Sequence, residues 1–269
     1  MKTRILSTLA ILSLIFATNL LTACDDDDDD DGEIAAPTVS DSSASGTAGT
    51  NSDEYVDLGL SVKWARYNVG ASTPDDYGDY FAWCDISAAT EADISIYEGT
   101  ADIAGNDTYD AATAAWGSAW KMPTQAQLEE LKNDCTWTWG TYDGTSIKGF
   151  LVTGSNGNSI FLPAAGYVIV SSETVITEAD TTVVLTESSS PSWYHAEYVI
   201  TSADTTVTYT LTTSYAGTTA FYSSSTPDIS DAKNGECDNA YFLYLYNSAY
   251  QQVSAGDKEI CRSIRAVTE

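Results

Sequence analysis

Three textures follow one another along the chain. Ile5 to Leu21 is apolar with only small polar interruptions, preceded by Lys2 and Arg4. Asp25 to Asp31 is an unbroken acidic run, and Gly32 to Ser52 holds Gly, Ser, Thr and Ala with almost no large apolar residue. From Glu54 the pattern becomes that of a folded domain: short alternating segments, aromatic residues and glycine turns. Tyr55 to Ala65 carries strand-forming residues around a Gly turn, and Tyr80-Phe81-Ala82-Trp83 is a short aromatic strand. Turns are expected at Asn68 to Ala71 and Thr73 to Gly78, and again at Tyr142-Asp143-Gly144. Thr136-Trp137-Thr138-Trp139 alternates as a strand does, and Phe150 to Thr153 with Ser159 to Pro163 predicts a hairpin about Gly154 to Asn158. Ala240 to Tyr246 and Cys261 to Val267 read as closing strands.

Two segments carry helix signals instead. Thr108 or Asp110 can cap a helix over Ala111 to Trp116, which Gly117 ends. The second starts at Pro123, where Thr124 and Gln127 have capping-box spacing. Leu128 and Leu131 give it an apolar stripe to about Asp134. Two short helices among many short antiparallel strands predict an α+β domain over residues 53–269.

The N-terminal texture is an address. A basic start, an apolar stretch and small residues before a cysteine describe a secretory signal over residues 1–23. Leu21-Thr22-Ala23-Cys24 resembles a bacterial lipobox, which implies cleavage before Cys24 and a diacylglycerol on its thiol. Each buried acyl methylene contributes about 0.8 kcal/mol, and more than one chain anchors a protein stably. The aspartate run right after Cys24 is a solvated, self-repelling spacer. Its position resembles the acidic export signal of Bacteroidota lipoproteins, which implies the exposed leaflet of an outer membrane. Residues 24–52 are thus expected to be lipidated cysteine, aspartate tract and flexible tether.

Composition narrows the function. The 11 Lys and Arg against 39 Asp and Glu give a net charge of −28. That balance excludes nucleic-acid binding and docking to an anionic bilayer by a basic face. Seven Trp and 17 Tyr in a chain 43% hydrophobic supply a core. With one histidine, multi-histidine zinc sites are excluded. That histidine, His195, lies in Ser192-Trp193-Tyr194-His195, among aromatics. No nucleophile elbow, zinc-protease helix motif or phosphate loop is present. No cofactor or metal is expected, and Asp75, Asp76 and Asp79 read as a solvated turn.

Besides Cys24, four cysteines remain: Cys84, Cys135, Cys237 and Cys261. In an exported domain they favour disulfides, with three connectivities open. Cys237 precedes one closing strand and Cys261 begins the last, so these two are paired. Cys84 with Cys135 follows by elimination, the alternative being free buried thiols.

Several longer motifs occur in order: Tyr55-Val56-Asp57-Leu58-Gly59-Leu60 with Lys63-Trp64-Ala65, Asn68-Val69-Gly70-Ala71, and Tyr77-Gly78-Asp79-Tyr80-Phe81-Ala82-Trp83. Tyr109-Asp110-Ala111-Ala112-Thr113 and Trp120-Lys121-Met122-Pro123-Thr124 follow, then Asn158 to Tyr167, Tyr222 to Thr226 and Ser263 to Val267. This series resembles the Fibrobacter succinogenes major paralogous domain over most of residues 54–269. The resemblance implies a fold related to C-type-lectin-like domains and the formylglycine-generating enzymes. It supplies no reaction. The redox-active cysteine pair of the latter enzymes is not matched, since Cys261 alone lies in that region, and the calcium-site motifs of C-type lectins are missing.

The chain departs from that family between Val168 and Ala220, where a short loop is replaced by about fifty residues dense in Thr, Val, Ser and Tyr. A β-rich insertion is expected there. Ala179-Asp180-Thr181-Thr182-Val183 recurs as Ala203-Asp204-Thr205-Thr206-Val207, and Tyr167-Val168-Ile169 is echoed by Tyr198-Val199-Ile200, which suggests two hairpin-like units. Thr181 and Thr205 also match a short Bacteroidota O-glycosylation sequence. Most tryptophans fall in the shared motifs and are expected in the core. Trp193, Tyr194 and Tyr215 lie in the insertion and are the candidate contacts for a glycan or protein ligand. The expected function is a non-catalytic binding or adhesion lipoprotein of the cell surface. The alternatives are a structural subunit of a fimbria-like assembly and a divergent formylglycine-generating-type enzyme.

Overall fold

Local sequence decides the two helices. Asp110 accepts hydrogen bonds from the N–H groups of Ala112 and Thr113, and so caps α1 (Ala111–Trp116). Thr124 and Gln127 close a capping box on α2 (Gln125–Asp134), whose buried stripe is Leu128 and Leu131. Both helices run over the segments their signals predict.

A computed structural model describes residues 36–49, 53–90, 99–176, 181–186, 195–200, 205–230, 232–246 and 250–269. Over 173–176, 181–186, 195–200 and 205–207 it describes the backbone alone. Residues 36–269 make one folded unit of mainly β structure. Among the described residues no helix is long and apolar enough to cross a membrane.

One sheet runs β1 (Thr38–Val39), β5 (Thr136–Tyr142), β6 (Lys148–Thr153) and β7 (Ser159–Pro163). A second runs β15 (Val267–Thr268), β4 (Lys63–Ala65), β3 (Asp53–Val56) and β2 (Gly46–Ala48). The third orders β12 (Thr219–Pro227), β13 (Asn239–Tyr246) and β14 (Tyr250–Asp257), all antiparallel. Helix α2 packs against these three strands, and Leu128 and Leu131 join Leu243, Leu245, Phe150 and Trp64 in one core cluster. A second cluster gathers Trp83, Trp116, Trp120, Met122 and Ile264.

Several expectations need correction. Residues 36–49, expected in the tether ahead of Asp53, belong to the folded unit. The Asp41 side chain, expected in the tether, is 2% exposed and binds Arg66 and Tyr142, while β1 and β2 add backbone pairing to β5 and β3. Tyr80 to Trp83 holds one isolated bridge, Phe81 with Arg262, and of the strand expected over Cys261 to Val267 the first three residues make isolated bridges to Val168, Phe81 and Tyr222, with only Val267 entering β15.

The insertion is β-rich, yet its repeats do not build two successive hairpins. β8 (Tyr167–Ile176) pairs with β11 (Thr205–Ser214), and β9 (Thr181–Thr186) pairs with β10 (His195–Ile200) between them. The units are nested: Thr181 opens β9, Thr205 opens β11, and the second Tyr-Val-Ile closes β10.

Neither expected disulfide forms, and all four described cysteines are free thiols. Cys84 belongs to the second core cluster, whereas Cys135 packs on the first. The Cys237 thiol accepts from Lys258 Nζ at 3.2 Å, while Cys261 packs beside Ala82 and Val168.

Candidate functional site

Strand alternation builds the site. On β13, Leu243 and Leu245 face the core, so Phe242, Tyr244 and Tyr246 face the other way. The antiparallel register sets Tyr250 beside Tyr246, Gln252 beside Tyr244 and Ser254 beside Phe242. On the other flank it sets Phe221 beside Tyr244. Helix α2 covers the core side of this sheet, and the opposite side carries a continuous row of rings.

The row runs from Tyr215 to Tyr250. Tyr215 and Tyr167 have centroids 5.7 Å apart, and Tyr167 meets Phe221 edge-on at 5.1 Å. Phe221 touches Phe242 at 5.9 Å and Tyr244 at 5.0 Å. Tyr244 lies nearly parallel to Tyr246, 9° between planes at 6.5 Å, and meets Tyr250 edge-on at 5.7 Å. Tyr215, Tyr246 and Tyr250 are 61%, 45% and 47% exposed. Burial, then the neighbouring phenols of Tyr246, Tyr250 and Tyr215, push the Tyr244 pKa above its usual value, so this ring stays neutral well beyond physiological pH.

A tight backbone crossing presents Tyr215. Gly166 has φ +68°, and a Cβ there would lie 2.0 Å from the Ser214 carbonyl oxygen. Gly217 N–H donates to the Ala164 carbonyl at 2.7 Å. The crossing holds Tyr215 in the left-handed region, at φ 62°, a conformation that a bulky residue rarely adopts. The foot of the β8–β11 ribbon is thereby joined to the end of the aromatic row.

Of the predicted ligand contacts, the structure brings Tyr215 into this row. Trp193 and Tyr194 lie outside the described residues, as do Cys24 and residues 1–35. Thr181 and Thr205 are strand-opening positions on different ribbons. Trp64, Trp83, Trp116 and Trp120 are buried as expected, while Trp137 and Trp139 are half-buried. The sequence reading missed Phe242, Tyr244, Tyr246 and Tyr250. The signal was present in Phe242-Leu243-Tyr244-Leu245-Tyr246, where aliphatic and aromatic residues alternate with period two.

Two clefts adjoin at Asp228. One, about 510 Å³, is lined by Lys233, Glu236, Cys237, Asp238 and Asn239. The other, about 400 Å³, is lined by Asp102, Gln125, Thr226, Ile229 and Tyr241, among others. The Ser230 N–H and the Tyr241 hydroxyl donate to Asp228, and the Ser230 bond is the main cause holding its pKa below the usual range. A carboxylate so held is a poor proton donor. Burial pushes the Cys84 thiol up to about 12, and Cys135 and Cys261 to about 11, so none is a ready nucleophile. No group of side chains suited to hold a metal ion occurs among the described residues.

No family model matches the chain, and no curated protein or solved structure does either. The site therefore stands on its own geometry.

Proposed function

We propose that the protein is a non-catalytic, glycan-binding lipoprotein of a bacterial outer surface, anchored through Cys24 and binding sugar on the aromatic row of β12–β14. The observation that carries this reading is the row itself: seven contiguous rings, five on the β12–β14 face opposite α2 and Tyr167 and Tyr215 at the foot of the β8–β11 ribbon, with Tyr215, Tyr246 and Tyr250 open to solvent. Pyranose rings present faces of weakly positive C–H bonds, which suit the negative faces of aromatic rings. The polar groups alongside, Gln252, Ser254 and the tyrosine hydroxyls, suit sugar hydroxyls better than they suit the aliphatic core of a protein interface.

The resemblance to the Fibrobacter succinogenes major paralogous domain, with its lectin-like relatives, supports the same reading. So does the lipobox, which would hold the domain where extracellular glycans are met. The non-catalytic part rests on the protonated thiols and the acid-poor, hydrogen-bonded Asp228.

The test is a glycan array probed with the protein lacking residues 1–23 and carrying Cys24→Ser. Selective binding that Tyr246→Ala weakens supports the proposal. Absence of binding to any glycan overturns it. In that case, concentration-dependent self-association in ultracentrifugation would favour the structural-subunit reading.

A further inference from the structure

The open end of the β13–β14 hairpin holds a cysteine and a lysine in contact. Cys237 stands two residues before β13, and Lys258 directly follows β14. The ladder pairs Asn239 with Asp257, and one step further the Lys258 N–H donates to the Asp238 carbonyl at 3.0 Å. Lys258 is 1% and Cys237 5% exposed. Lys258 Nζ donates to the Cys237 carbonyl at 2.7 Å, to the Gly99 carbonyl at 3.2 Å and to Cys237 Sγ at 3.2 Å. The Trp83 ring lies against it, with its centroid 4.2 Å from Nζ. The Cys237 S–H in turn donates to the Gly99 carbonyl at 3.4 Å, so a sulfur lone pair faces the lysine nitrogen.

Two carbonyls and a ring fix the nitrogen against the sulfur, and moving a buried polar group off its acceptors is costly. Reacting groups held about 3–3.5 Å apart need no further encounter to combine. At 3.2 Å the two atoms are too far apart for a direct N–S bond, and a single bridging atom spans them. Cys237 also lines the cleft of about 510 Å³ beside Asp228, which gives a small oxidant a way in and water a way out. The sulfur is not committed elsewhere, since Cys237 is a free thiol.

We propose that Cys237 and Lys258 form a modification site at which dioxygen joins Sγ to Nζ through one oxygen atom, closing the base of the hairpin that bears the aromatic row. Counted from the thiol and the neutral amine, an S–H bond, an N–H bond and the O–O double bond break. An S–O bond, an O–N bond and two O–H bonds form. Sulfur and nitrogen each give up two electrons, and dioxygen takes all four. One of its atoms stays in the bridge and the other leaves as water. A dithiol reverses the step: two equivalents return the four electrons and release thiol, amine and water. The bridge ties the two strands that carry Phe242, Tyr244, Tyr246 and Tyr250, and a cross-link stabilises a fold by restricting the unfolded chain. The site holds whether or not that face binds glycan.

The full chain is incubated in air and, in parallel, under nitrogen. Remaining thiols are alkylated and both samples are cut on the N-terminal side of aspartate. Cys237 then lies in peptide 231–237 and Lys258 in peptide 257–269. The expected product in air is these two peptides joined, heavier than their sum by one oxygen and lighter by two hydrogens, with fragment ions placing the bridge on Lys258. It is absent under nitrogen, and dithiothreitol returns both peptides unmodified. Cys237→Ser and Lys258→Met each remove it, while Cys261→Ser leaves it; where a variant does not fold, the parent's fragment ions decide. The linked protein unfolds at a higher urea midpoint than the same sample after dithiothreitol, a shift that Cys237→Ser lacks. Unlinked, alkylated Cys237 after air exposure overturns the proposal. A joined pair without the added oxygen also overturns it, because that product is a disulfide with Cys261. So does a disulfide from Cys237 to Cys84, the other thiol on which the Lys258 charge acts. Equal urea midpoints overturn the stapling role while the link itself stands.

Discussion

Arg265 Nε donates to Asn68 Oδ1 at 2.9 Å, and this bond ties the last turn of the chain to the loop after β4. Both residues are fully buried. The remaining guanidinium nitrogens donate to the carbonyls of Ala65, Arg66 and Phe161, so one side chain joins three separate segments. Burial lowers the Arg265 pKa, yet four acceptors offset the desolvation. Arg265→Met should orphan those acceptors and cost more than about 3 kcal/mol, since each buried unsatisfied group costs about 1–3 kcal/mol. Urea unfolding at unchanged m-value would measure it. A loss under about 1 kcal/mol would show that the clamp is dispensable.

A second pair tests where the domain begins. Asp41 accepts from Arg66 Nε at 2.9 Å and from the Tyr142 hydroxyl at 2.6 Å, and its side chain is 2% exposed. The pairing raises the pKa of the Arg66 guanidinium. Asp41→Ala should destabilise by about 1.5–3 kcal/mol, the range for hydrogen bonds to charged groups. In a double-mutant cycle with Arg66→Met the two losses should not add. A flexible tether at this position would give no loss at all.

The helices were legible because their signals are local: a capping box and an Asp cap act within three residues of the backbone they satisfy. The core tryptophans were legible from their motifs. Residues 36–49 were not, because they are polar and earn their place through long-range partners, such as Ser42 with Ser159 and Ser45 with Asp57. β14 was missed for a related reason. Tyr-Gln-Gln-Val-Ser-Ala-Gly-Asp has little strand propensity, and its pairing is set by β13. The ring row needed three strands in register, which no single segment of sequence displays.

The thiols give a signed pH dependence. Ordinary thiols lose their protons near pH 9, whereas burial holds Cys84 up to about 12 and Cys261 up to about 11. As pH rises past 9, the unfolded chain releases these protons first and the folded state keeps them. The folded state then binds more protons, so stability falls with rising pH, by up to about 1.4 kcal/mol per pH unit per thiol. The loss runs from about pH 9 to each folded value. Urea titrations at pH 8, 9, 10 and 11 under reducing conditions should show a shallower decline for Cys84→Ala than for the parent. Parallel declines would place the Cys84 thiol in contact with water.

The exposed rings separate binding from stability. Tyr246 and Tyr250 are each about half exposed, and neither belongs to a core cluster. Truncating either to alanine should move the urea midpoint little, because surface substitutions commonly fall within about 0.5 kcal/mol. Each should cut affinity for a bound glycan roughly tenfold, since aromatic anchors typically contribute more than about 1 kcal/mol to binding. Leu243→Ala is the opposite case. Leu243 faces α2 from the same strand, so its loss should cost about 2–5 kcal/mol of stability while glycan affinity per folded molecule stays unchanged. Calorimetric titration of the three variants, each corrected for its folded fraction, would show whether the two faces of β13 divide the work in this way. Equal affinity losses on both faces would mean that binding follows the integrity of the sheet and not the rings.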